Sequence, residues 1–286
     1  MTISKQLKAR AACTLVGLSL LFSLLPPVSA QSKLEAVPIS FTFAEKGFTG
    51  EKSHKLEAFE YIPVKWNNKV IVMSHGSTGG KPDAIKASIQ YKAIASEATR
   101  NGYVFVVYMR KGRGKSEGDF TEETGKCDFG SLRREQAEAE AQLEQVIEQV
   151  KVKHTVQKVI LMGHSRGGFL SSTYAAKKPE SVLAVVNLAG AWSAACENKN
   201  NNMGRKDLEE SSNKFAPQFW AYFDADTYFM ADKFNDPGYV ALSRIAMGKV
   251  TMRTFDAEGM SDGHATPTFK PKAWAAVFFP MLAEIK

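Results

Sequence analysis

The hexapeptide Gly163-His164-Ser165-Arg166-Gly167-Gly168 follows directly on the apolar run Val159-Ile160-Leu161-Met162 and leads into Phe169-Leu170-Ser171-Ser172-Thr173-Tyr174-Ala175-Ala176. A short, continuous apolar run predicts a strand buried on both faces, and the segment behind the glycines suits a helix. Gly-x-Ser-x-Gly between a strand and a helix has the form of a nucleophile elbow. The turn is so sharp that its central residue is forced into an unusual backbone conformation, and the flanking glycines let strand and helix approach. The serine hydroxyl then stands at the carboxyl edge of a sheet, beside the first amides of the helix. A plain glycine-rich turn is the competing reading, and the elements on either side weigh against it.

The start of the chain reads as an export signal. Lys5, Lys8 and Arg10 precede an apolar stretch from Ala11 to Leu25, and Val28-Ser29-Ala30 offers small residues for a signal peptidase. Cleavage is expected between Ala30 and Gln31, which makes the protein secreted or periplasmic. The stretch is shorter than the ~20 residues of a spanning helix, and Pro26-Pro27 end it. No later segment is apolar enough to span a membrane. Loss of three basic residues and no acid lowers the formal charge from +7 to +4. That is too mild for a nucleic-acid binder.

Residues 31–286 suit one α/β domain. Val37 to Phe43 and Leu56 to Ile62 alternate as antiparallel strands do. Lys69 to Ser74, Tyr103 to Met109, Val159 to Met162, Val182 to Leu188, Gln218 to Phe223 and Val250 to Phe255 read as further strands. Helices are predicted over Ala84 to Arg100, over Leu132 to Val150 with Ser131 as N-cap, and over Lys270 to Glu284. Strands alternating with helices predict a mostly parallel sheet with helices on both faces. The polar stretch within 189–217 reads as an exposed excursion, at most a small lid.

A serine hydroxyl needs a base, and the base needs an orienting group. Behind a nucleophile elbow the chain order is serine, acid, histidine. His264 alone among five histidines follows Ser165, in the turn-prone Ser261-Asp262-Gly263-His264. The acid is less sharply defined. Asp226 lies just past the strand Gln218 to Phe223 and is favoured, with Asp224, Asp232, Asp236, Asp256 and Asp262 in the same window. His75-Gly76-Ser77 follows a strand and matches a loop that donates one oxyanion-hole amide. The expected donors are the backbone N–H groups of Ser77 and Arg166, and His75 reads as an organiser of its loop.

Together with Arg110-Lys111-Gly112-Arg113-Gly114-Lys115-Ser116-Glu117-Gly118, Trp220 to Phe229 and Asp262-Gly263-His264, these segments resemble the α/β-hydrolase superfamily. The chain looks most like its bacterial dienelactone-hydrolase-like and prolyl-oligopeptidase-like members. The resemblance implies an α/β-hydrolase fold, a Ser165–Asp226–His264 triad, no cofactor and a small-molecule ester as substrate. Dienelactone hydrolases proper use a cysteine nucleophile, so Ser165 favours an esterase. A peptidase of the same fold usually carries a large cap or propeller, for which 189–217 leaves little room. A member that binds without turnover is the third reading.

Other chemistries fit less well. Gly114-Lys115-Ser116 ends like a phosphate-binding loop, but Met109 stands where the pattern needs glycine. Lys111, Arg113 and Lys115 are offset by Glu117, Asp119, Glu122 and Glu123, as in a solvated charged loop. No metal-ligand spacing occurs. Trp192, Phe215, Tyr228 and Phe229 suit an apolar pocket or ordinary core. Arg110 and Arg113 suit either an acidic substrate group or the pinning of their own loop. Cys127 and Cys196, the two cysteines left after cleavage, are expected to form a disulfide at the carboxyl edge. Nothing in the sequence fixes the oligomeric state.

Overall fold

The computed structural model describes residues 34–47, 50–77, 81–122, 128–190, 216–227 and 250–286. The export signal, Cys127, Cys196, Trp192, Phe215, Tyr228, Phe229, Asp232, Asp236 and most of the 189–217 excursion lie outside the described residues. The elements in chain order are β1 (Val37–Gly47), β2 (Gly50–Tyr61), β3 (Val70–Ser74), α1 (Pro82–Lys86), α2 (Lys92–Arg100), β4 (Val104–Tyr108) and α3 (Phe129–His154). Then come β5 (Val159–His164), α4 (Arg166–Lys177), β6 (Val182–Leu188), β7 (Gln218–Phe223), β8 (Val250–Phe255), α5 (Thr266–Phe269) and α6 (Lys272–Ala283).

The eight strands form one sheet in the order β1-β2-β4-β3-β5-β6-β7-β8. The β1–β2 and β2–β4 pairs are antiparallel. From β4 onward every pair is parallel. Successive strand residues point to opposite faces, so a strand covered on both faces is apolar at most of its positions. On one face Ile71, Met73, Phe105, Val107, Ile160 and Met162 pack with Ile94, Ala95 and Ala98 of α2 and Trp274, Phe278 and Phe279 of α6. On the other, Val70, Val72, Val104, Val106, Val159 and Leu161 pack with Leu143, Val146, Ile147 and Val150 of α3 and Leu170, Tyr174 and Ala175 of α4. Among the described residues no helix is long and apolar enough to cross a membrane.

Helix α3 also closes one open sheet edge. The side-chain amide of Gln149 both donates to Thr42 O (2.7 Å) and accepts from Thr42 N (2.9 Å). Gln145 does the same at Ala44, at 3.0 and 2.8 Å. Residues four apart share a helix face, so the pair imitates a neighbouring strand along β1 and satisfies groups that would otherwise template pairing with another chain.

Two sequence expectations need correction. Ser131 does not cap α3. Asp128 does, its carboxylate accepting the Ser131 amide (2.8 Å) and hydroxyl (2.8 Å). The segment Ala84 to Arg100 is two helices, not one. Ala87 is extended and Tyr91 adopts the left-handed conformation at φ 47°. The break has tertiary causes. Ser88 donates to Glu57 at 2.7 Å, and Tyr91 turns its hydroxyl to accept the Gly76 amide at 3.2 Å.

Candidate active site

Ser165 sits between β5 and α4 at φ 55°, ψ −127°. For a residue with a Cβ this is a strained backbone of the kind that persists only where the surroundings enforce it. The enforcement is visible. Its N–H donates to Leu188 O at 2.9 Å, and its carbonyl accepts from Gly168 N at 2.9 Å and Phe169 N at 3.1 Å. A Cβ at Gly163 would lie 2.0 Å from Gly167 O, and one at Gly167 would lie 2.1 Å from Ser74 O. Glycine is required at both positions because helix, elbow and the neighbouring strand touch through their backbones. Arg166 is the first residue of α4, and its amide is among the N–H groups a helix leaves without an intrahelical acceptor.

His264 is carried in a short turn, Gly263–Ala265, behind β8. Its Nδ1–H donates to Asp226 Oδ2 at 3.1 Å. A carboxylate can only accept, so the ring proton lies on Nδ1 and Nε2 carries the lone pair. Asp226 is fully buried, at 0% exposure. The two loops meet through backbone. Gly263 N donates to Ala225 O at 2.9 Å, and a Cβ on Gly263 would lie 1.9 Å from Asp224 O. The other acids do other things. Asp224 is exposed. Asp262 accepts the His264 amide at 3.0 Å and the Thr227 hydroxyl at 3.2 Å. Asp256 accepts the Glu258 amide.

His164, next to the serine, ties the histidine turn to the elbow. Its Nε2–H donates to His264 O at 2.8 Å, and the two imidazoles lie 4.8 Å apart. Burial, with the neighbouring His264 charge, pushes the His164 pKa down to about 3. It therefore stays neutral beside a base that must gain a proton. The sequence reading passed over His164, as it did Tyr91, whose hydroxyl holds the Gly76 amide. The proximity of His164 to Ser165 in the motif was the available signal.

His75-Gly76-Ser77 leans on the elbow: a Cβ built at Gly76 would lie 3.0 Å from Ser165 Cβ. Ser77 is exposed, whereas His75 is fully buried. Arg110 and Arg113 are also fully buried, at 0% exposure. Arg110 donates to His75 O at 2.7 Å and pairs with Glu122, so it pins its own loop and the neighbouring one. Arg113 donates to Glu122 Oε2 at 2.8 Å and lies 4.6 Å from the centre of the Phe120 ring. Arg166 reaches Glu122 at 3.7 Å and Glu135 at 3.2 Å. Burial alone would raise the Glu122 carboxyl, but Arg110 and Arg166 overcome it and hold the group well below 4.5. The expectation of a solvated charged loop is thus corrected. Lys115, Glu117 and Asp119 face water, but Arg110, Lys111, Arg113 and Glu122 are buried. Three arginines cannot leave water without carboxylates among them, and Glu122 with Glu135 supplies these. Among the described residues no group of three or more His, Cys, Asp or Glu stands close enough to hold a metal ion.

A family profile described as alpha/beta hydrolase fold matches residues 69–227. No curated protein matches the chain by sequence. Among solved structures, the chain is similar to an esterase of Pyrococcus furiosus with a TM-score of 0.61 at 14% identity, covering 88% of this chain and 92% of that one. It is similar to a predicted CIB-like hydrolase of Thermoplasma acidophilum at 0.59 and 14%, covering 88% and 100%. It is similar to Est1E of Butyrivibrio proteoclasticus with ferulic acid bound, at 0.56 and 17%, covering 81% and 94%. At these identities the likeness is one of fold.

Proposed function

The chain belongs to the α/β-hydrolase family, and from that premise we propose that it is a serine hydrolase that cleaves small carboxylic esters through an acyl-enzyme. One observation carries the reading: a serine in a strained left-handed elbow shares a sheet edge with a buried, Nδ1-protonated His264–Asp226 pair. Ser165 Oγ attacks the ester carbonyl while His264 Nε2 takes its proton. The tetrahedral oxyanion is held by the Ser77 and Arg166 amides, each worth ~3 kcal/mol in the transition state. Collapse expels the alcohol, which receives the proton from His264. Water then repeats the sequence on the acyl-enzyme and releases the acid. Asp226 fixes the imidazole tautomer and stabilises the imidazolium.

An ester is favoured over an amide by the sequence, in which Ser165 replaces the cysteine of dienelactone hydrolases and 189–217 leaves little length for the large cap usual in peptidases of this fold. Trp192, Tyr228 and Phe229, outside the described residues, are the proposed substrate contacts on their aromatic character alone. Export follows from Lys5, Lys8, Arg10 and the apolar stretch behind them, with a mature chain beginning at Gln31 and a Cys127–Cys196 disulfide suited to that compartment. A panel of p-nitrophenyl esters of rising acyl length tests the activity. The wild type is expected to turn over short esters, and Ser165→Ala is expected to lose nearly all turnover while keeping its fold. Wild-type rates in the alanine variant would refute the mechanism. Cleavage of amides but no ester would move the reading to a peptidase.

A further inference from the structure

His75 is completely buried and stands outside the serine, acid and base relay, yet both of its ring nitrogens are engaged. The Arg110 backbone N–H donates to Nε2 at 3.1 Å. Nε2 is therefore the lone-pair nitrogen, and the ring proton sits on Nδ1. Nδ1–H donates to the carbonyl of Gly76 at 2.7 Å. The Arg110 guanidinium approaches the same oxygen at 3.4 Å and is held from its other side by Glu122. Burial, reinforced by the Arg110 charge, holds the imidazole well below 6.5 and hence neutral.

The Gly76 carbonyl and the Ser77 N–H belong to one peptide plane. The described chain contains no cis peptide, and in a trans peptide the two groups point in opposite directions. Holding the carbonyl inward, against the buried Arg110, aims the Ser77 N–H outward to the open edge. A hydrogen bond and a cation on the oxygen also draw electrons through the plane and make the N–H a stronger donor. An oxyanion-hole amide is effective because it is aimed before charge develops.

We propose that His75 is a positioning residue for catalysis, its Nδ1–H fixing the direction and donor strength of the Ser77 oxyanion amide through the Gly76–Ser77 peptide. The inference rests on the serine-hydrolase reading above. It assigns to a residue with no contact to the reacting atoms a share in stabilising the transition state.

Two isosteric variants separate this role from a structural one. In His75→Asn the amide nitrogen falls where Nδ1 was, so the donor to Gly76 O survives and the acceptor for Arg110 N–H is lost. In His75→Gln the reverse holds. Each leaves one buried polar contact unmade, so a structural role costs both alike. The expected result is a kcat lowered by about 10–100-fold in His75→Gln with KM nearly unchanged, against most of the wild-type kcat in His75→Asn; complete loss of one such donor costs about 10²–10³-fold. Parallel losses in the two variants, no loss in either, or the opposite ranking would overturn the proposal. The imidazole proton can be placed without any variant. Long-range ¹H–¹⁵N correlation on the wild-type protein is expected to show His75 as the neutral Nδ1–H tautomer, and an Nε2–H signal would overturn the proposal even if both variants fail to fold. A wild type with no Ser165-dependent ester hydrolysis would instead refute the underlying reading.

Discussion

Lys158 at the entry to β5 and Arg166 just past its exit carry the same charge in opposite settings. Lys158 is exposed; Arg166 is 2% exposed and faces Glu122 and Glu135. The contrast extends along both edges of the parallel sheet. At the amino ends two open grooves of about 530 Å³ each are lined by residues such as Trp66, Gln157, Lys158 and Lys286. At the carboxyl ends Arg110, Arg113, Arg166, Glu122, His75, Asp226 and His264 are all buried. A solvated charge needs no fixed partner and fixes no geometry. A buried one requires its partner in place, and at this edge Arg110, Arg113 and Arg166 converge on Glu122, with Glu135 also facing Arg166. The buried, partnered polar groups lie at the edge that carries Ser165.

The largest expected effect lies at the most deeply buried acid. Asp226→Asn should lower kcat by about 10³–10⁴-fold, because the amide favours the wrong imidazole tautomer and cannot balance its cation. Asp224→Asn, two residues away and exposed, should change it less than about threefold. Steady-state kinetics on one ester decides this, and the reverse ranking would move the acid to Asp224.

The next effect is on stability. Glu122→Gln leaves three arginines around a neutral group and should cost about 3–5 kcal/mol in urea unfolding, the usual price of breaking a buried pair. A loss below about 1 kcal/mol would mean that the carboxyl edge is as solvated as the amino edge.

Acid should single out the same edge. His75 and His164 are held below 6.5 in the folded protein, His164 at about 3. Between those values the unfolded chain binds protons that the folded one refuses, so stability falls as pH drops below 6.5. Each histidine contributes about 1.4 kcal/mol per pH unit within its window. Glu122, depressed from 4.5, adds a further loss as pH falls below that value. Denaturant titrations at pH 7, 6 and 5 check the slope, and a flat profile would contradict the assigned neutral imidazoles. The smallest effect is at the amino edge, where Lys158→Gln should stay within about 0.5 kcal/mol and leave kcat unchanged.

The sequence made the inner strands legible because burial on both faces writes a mostly apolar run between turn residues. Val182–Leu188 and Gln218–Phe223 have the bounds expected of them, as does the less buried Val250–Phe255. It made the elbow legible because backbone contact at Gly163 and Gly167 admits no other residue. Ala84 to Arg100 misled because helical spacing continues through Ser88 to Tyr91, while contacts to Glu57 and Gly76 from elsewhere break the helix. The charged segment 110–122 misled for a related reason. Alternating charges look the same in a solvated loop and in a buried network, and Glu122, Glu135 and Arg166 meet only in three dimensions. Asp226 and Asp224 differ in burial, which no local pattern records.

The account turns on whether the buried carboxyl-edge constellation activates Ser165. Fluorophosphonate labelling of the folded protein, followed by peptide mapping, measures that directly. The label is expected on the peptide carrying Ser165, and replacement of His264 by alanine should slow its attachment by at least about 100-fold. An unlabelled Ser165 in the folded wild type, or labelling that proceeds at the same rate without His264, would contradict the account.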